Sequence, residues 1–65
     1  MTLLELAKLA PKTRIEARVF SLGEWETVVD YRENQSFDEI PNVWRNSEIM
    51  RIENKGYFLK VYLFD

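Results

Sequence analysis

Cysteine and histidine are both missing from this 65-residue chain. Without thiols there are no disulfides and no thiolate ligands, and without imidazole the usual zinc and iron sites cannot be assembled, so no metal and no cofactor is expected. The same absences remove the commonest nucleophile and the commonest general base near neutrality, which argues against an enzyme. Glycine occurs only at 23 and 56, and both positions read as turns, so no glycine-rich phosphate loop can form. A strong excess of either charge is missing too: 9 basic and 11 acidic side chains are mixed along the sequence, for a net charge of −2. That balance lacks the basic footprint of most nucleic-acid binders and the dense negative field of a DNA mimic. The opening MTLLELAKLAPK carries Glu5 and Lys8 among its leucines and has no basic lead. It is too short and too charged for a signal peptide or a membrane span, so no membrane contact is expected and the expected location is the cytoplasm.

What is present reads as one small domain over residues 1–65. Thr2 and Glu5 stand at capping-box spacing, Leu3, Leu6, Ala7 and Ala10 follow at helical spacing, and Pro11 stops the helix. TRIEARVF (13–20) alternates Ile15, Ala17 and Val19 against charged partners, as a half-buried strand does. EWETVVDYR (24–32) reads as a second strand with Trp25, Thr27, Val29 and Tyr31 on one face. A three-residue loop, Ser21-Leu22-Gly23, would pair Val19 with Trp25, Ala17 with Thr27 and Ile15 with Val29, keeping the apolar sets together. A two- or four-residue loop would pair Val19 with Glu26 and mix the faces.

Residues 33–46 break the pattern and read as a long connection with one helical turn, weighted by Phe37, Ile40, Val43 and Trp44. SEIMRIEN (47–54) is a third strand, and KGYFLKVYLFD supplies a fourth after a turn at Asn54, Lys55 and Gly56. Pairing Ile52 with Leu59 and Met50 with Val61 groups the apolar residues and leaves Ile49, Arg51 and Glu53 outward; a three-residue loop would instead pair Arg51 with Leu59. The expected fold is α+β, an N-terminal helix packed on one face of a four-stranded antiparallel sheet in the order α-β-β-loop-β-β.

The terminal strand is apolar on both faces. Tyr57, Leu59, Val61 and Leu63 suit the core; Phe58, Lys60, Tyr62 and Phe64 then face away from the helix. With Phe20, Arg18, Val28, Ile49 and Arg51 they form the expected partner-binding set, because aromatic residues and arginine are enriched at interface hot spots. A single-stranded nucleic-acid platform is a remote alternative, opposed by Glu16, Glu26, Asp30 and Glu53 on the same face. The carboxylate pairs Asp38/Glu39 and Glu24/Glu26 fit a solvated loop and a strand surface better than an acid and a base. Asn34-Gln35-Ser36 matches the glycosylation sequon, which carries no weight without a signal peptide.

The sequence of elements, a Leu-rich helix followed by PKTRIEARV, a glycine-turn hairpin, FDEIP, SEIMRIE and an apolar last strand, resembles small uncharacterised proteins encoded by phages and prophages of Gram-positive bacteria. The resemblance covers most of the chain and implies a protein that binds and blocks a host or defence protein, in the cytoplasm of the host bacterium. Self-association as a homodimer, structural or virion-associated, is the other expectation, since a domain of this size buries only about 60% of its unfolded surface and gains from a partner.

Overall fold

A computed structural model describes residues 1–33 and 35–64. Asn34, the acceptor of the sequon, lies outside the described residues. The chain runs α1 (Leu3–Leu9), β1 (Arg14–Ser21), β2 (Glu24–Tyr31), a 3-10 turn (Phe37–Glu39), α2 (Asn42–Arg45), β3 (Ile49–Asn54) and β4 (Phe58–Leu63). The capping box forms as the spacing requires: the Thr2 hydroxyl accepts from the Glu5 amide and the Glu5 carboxylate accepts from the Thr2 amide. The Glu5 carboxyl lies below its ordinary value because the Thr2 amide donates to it.

The four strands form one sheet in the order β2-β1-β4-β3. It is mixed, and this corrects the antiparallel expectation: β1 and β4 pair in parallel, Arg14 beside Phe58 through Arg18 beside Tyr62. The connection from β2 carries the chain across the helix layer to the far edge, where β3 is laid down, and β4 returns into the gap beside β1. The strand that is apolar on both faces therefore occupies the centre of the sheet, where both faces are covered.

The first hairpin also departs from expectation. Its turn has two residues, Leu22 and Gly23, with φ of 52° and 82°, the signs of a type I′ turn. Ser21 then pairs with Glu24, Phe20 with Trp25 and Val19 with Glu26. The mixing of faces that this implies is corrected by a β-bulge at Val28, after which Ala17 meets Val29 and Ile15 meets Tyr31. Trp25 and Thr27 accordingly leave the core face while Val29 and Tyr31 stay on it. In the second hairpin Ile52 pairs with Val61 and Asn54 with Leu59, two residues from the expected register, which preserves the faces. A second bulge at Met50 sets Ile49 beside Leu63, on the core side.

Leu3, Leu6 and Ala7 of α1 and Ile40 of the connection close over Ile15, Ala17, Val19, Val29, Tyr31, Val61 and Leu63. Tyr31 stacks on Phe37, their centroids 5.9 Å apart, and Arg45 donates to the carbonyls of Ile40 and Asp38, which fastens the long connection over the sheet. Tyr57, expected on the core face, lies in the turn before β4 and is exposed.

Candidate functional site

The sheet face turned away from the helices is built in three bands. At the end where β1 and β4 begin, Arg14 donates through Nε and Nη2 to the Asp30 carboxylate at 3.0 and 3.2 Å, and Arg32 donates to the same group at 3.2 Å. The hydrogen bonds from Arg14 hold the Asp30 carboxyl below its ordinary value. The Arg14 guanidinium also lies 5.6 Å from the Phe58 ring centroid. Lys12, Arg14, Arg32, Glu33 and Tyr57 line a shallow recess at this end.

In the middle band Arg18 donates to Glu16 at 2.7 Å, and Thr27 donates to the same oxygen at 3.4 Å. Beside them Tyr62 is enclosed on every side. Trp25 meets it edge to face with centroids 4.9 Å apart, Arg51 lies 4.3 Å and Lys60 5.8 Å from its ring centroid, and its hydroxyl donates to Glu53 at 2.7 Å. Only 7% of Tyr62 is left exposed. That hydroxyl is the first cause of a Glu53 carboxyl held below its ordinary value. The covering of the outer face thus comes from within the chain, by long cationic side chains laid over aromatic rings.

The third band, at the β1–β2 turn, is open. Phe20 packs on Trp25 at 5.4 Å yet remains 51% exposed, Phe64 follows β4 at the same end with 55% exposed, and Leu22 at the tip of the hairpin is 100% exposed. Leucine is an unsuited occupant of that tip. A β-carbon in the left-handed region costs roughly 1–2 kcal/mol, and asparagine, aspartate or glycine is the ordinary residue at the first position of a type I′ turn.

Of the nine residues expected at a partner surface, the structure gathers Arg18, Arg51, Phe58, Lys60 and Tyr62 on the outer face, with Phe20 and Phe64 at its open end. Val28 and Ile49 leave it. Both sit at or next to a bulge, which turns their side chains toward the core, where they pack half-buried. Tyr62 is on the face but buried, which corrects the expectation of an exposed anchor. Two residues were not anticipated there: Trp25, assigned to the core by the three-residue turn, and Leu22, read only as a loop residue. A leucine directly before the glycine of a short hairpin turn was the available signal.

Glu26 also leaves the face, since it pairs beside inward-facing Val19. Among the described residues the outer face holds Arg14, Arg18, Arg32, Arg51 and Lys60 against Glu16, Asp30 and Glu53, a local excess of positive charge in a chain whose net charge is −2. Asp38 and Glu39 lie exposed in the 3-10 turn, with the Asp38 carboxylate 4.0 Å from Arg45, and Glu24 and Glu26 are exposed near the hairpin tip. Among the described residues no group of three or more acidic side chains converges to hold a metal ion, and no helix is long and apolar enough to cross a membrane. No protein family, curated protein or solved structure matches the chain.

Proposed function

We propose that the chain is a non-enzymatic protein-binding module that holds its target with the open end of the outer sheet face, centred on the β1–β2 hairpin tip. Leu22 carries this reading. It combines a strained backbone with complete exposure of an apolar side chain. Both features cost stability and neither serves the fold, so the position is one where local rules give way to another requirement. Phe20 and Trp25 behind it form a rigid aromatic base, the composition of an interface hot spot. A stacking surface for single-stranded nucleic acid is less well supported, because bases need open ring faces and the central ring, Tyr62, is enclosed. The resemblance to phage-encoded proteins supports an inhibitor or modulator of a bacterial host or defence protein as the form of the activity.

The test is capture from a Gram-positive bacterial lysate with the immobilised wild type, Leu22→Asn and Phe20→Ser in parallel. A retained protein that is lost with both variants, while their circular dichroism stays unchanged, supports the reading. In the same experiment Leu22→Asn should melt higher than wild type: relief on the order of 1 kcal/mol moves the midpoint of a domain this small by about 4–8 °C. A protein retained equally by all three, or none retained at all, overturns it.

A further inference from the structure

We propose that the open edge of β3 pairs with the same edge of a second copy of the chain, antiparallel, across a two-fold axis at Ile52. The inference is independent of the target-binding reading, which rests on the hairpin at the opposite edge of the sheet.

Among the described residues β3 has a single strand neighbour, β4. Its entrance is already covered: Thr2 bridges Glu48, the Ile49 amide donates to the Met1 carbonyl at 2.8 Å and the Leu3 amide to the Ser47 carbonyl at 3.1 Å. Beyond that point no strand or backbone partner covers the edge among the described residues. The Lys55 amide donates to the Phe58 carbonyl at 3.0 Å, which marks these two as a hydrogen-bonded pair. Alternation along an antiparallel ladder then makes Glu53 with Lys60 and Arg51 with Tyr62 pairs of the same kind. Ile52 and Asn54 consequently turn their amides and carbonyls away from β4, toward the open side.

The side chains at this edge are self-complementary. An antiparallel copy centred on Ile52 sets Ile52 against Ile52 on the helix side. Ile52 lies next to fully buried Val61 yet is 43% exposed. On the other side the same axis sets Arg51 opposite Glu53 of the second copy, twice. Opposite charges directly across a strand pair attract and like charges repel, so a charge reversal between the residues flanking Ile52 is what a self-pairing edge requires. The β2 edge does not offer this, since the bulge at Val28 interrupts it in mid-strand. The β3 bulge at Met50 comes at the start of the strand and leaves Arg51–Asn54 regular.

Sedimentation equilibrium of the purified chain from micromolar to millimolar concentration tests the proposal. The expected result is a concentration-dependent mass that approaches twice 7.8 kDa. Arg51→Glu should weaken association about tenfold or more through two like-charge pairs, and adding Glu53→Arg to it should restore association. Amide hydrogen exchange provides a readout that needs no variant: the Ile52 amide should become protected as the dimer fills. A chain that stays monomeric throughout overturns the proposal. So does a dimer whose affinity ignores Arg51→Glu, or one that leaves the Ile52 amide unprotected.

Discussion

Tyr62 and Phe64 stand two residues apart and play opposite parts. Tyr62 is a core residue on the polar side of the sheet: its ring is shielded by Trp25, Arg51 and Lys60, and its hydroxyl is satisfied by Glu53. Phe64, past the end of β4, is more than half exposed. Tyr62→Ser should therefore cost about 3 kcal/mol or more of folding stability, as removal of a buried aromatic ring does. Phe64→Ser should stay within about 1 kcal/mol of wild type. Urea denaturation of the two variants separates the cases, and equal losses would mean that Phe64 is packed as Tyr62 is. The two-residue period of a strand marks which side of β4 Tyr62 occupies, opposite to Val61 and Leu63. It cannot mark the burial, which is made by arginine and lysine stems from neighbouring strands.

Among the elements, the bulge at Val28 decides the most. Val29 and Tyr31 belong to the core only because Val28 is left out of the pairing; paired in turn, it would push both to the outer face. Deleting Val28 would leave Thr27 opposite Arg18 and Val29 opposite Ala17 in a regular ladder, so the deletion variant should keep a cooperative melting transition and lose only the packing of half-buried Val28, about 1 kcal/mol. A deletion variant without a cooperative transition by circular dichroism would mean that the bulge itself is needed to seat Val29 and Tyr31. This is also where the sequence was hardest to read. Periodicity located the helix and all the strands, since each repeats its apolar positions over several residues. The bulges leave no such repeat: a single residue is added, and its cost is recovered only by packing against a helix distant in sequence. The hairpin turn misled for the same reason, because a two-residue turn satisfies the core only in combination with a bulge, and Leu22 is not a residue that announces a type I′ turn. Trp25 and Leu22 were consequently missed, and Val28 and Ile49 were misplaced.

For the whole molecule, the outer face ties stability to pH. Asp30 and Glu53 have lowered carboxyl pKa values, through hydrogen bonds from Arg14 and from the Tyr62 hydroxyl, and Glu5 is lowered at the helix cap. A carboxyl whose pKa is lower in the folded than in the unfolded state contributes stability that is complete above its unfolded value. That stability is lost as pH falls through the folded value. Melting temperature should accordingly hold near neutrality and decline below about pH 4–5, where free carboxyls begin to protonate. Asp30→Asn should melt lower at pH 7 and decline less steeply in acid. An acid limb that is the same with and without Asp30 would place the sensitive groups elsewhere. Strand order was not legible in the sequence, because each hairpin is self-consistent and nothing local tells which of its strands faces the other hairpin. Only the doubly apolar β4 hinted at a central place.

That central place has a consequence in time. Each hairpin is local and belongs to a class that closes in about 1–10 μs. The seam joining them pairs residues 44 apart, Arg14 with Phe58, and a parallel seam cannot be reached by zipping outward from a turn. Neither hairpin buries enough alone to persist, so the rate of folding is set by the encounter between them and carries the entropy of closing the intervening loop. During synthesis α1, β1 and β2 emerge first, and the edge of β1 that pairs with β4 stays open until β4 is made. Until it arrives, the nascent chain is a substrate for chaperones and proteases, and its survival depends on the interval between making its first strand and its last.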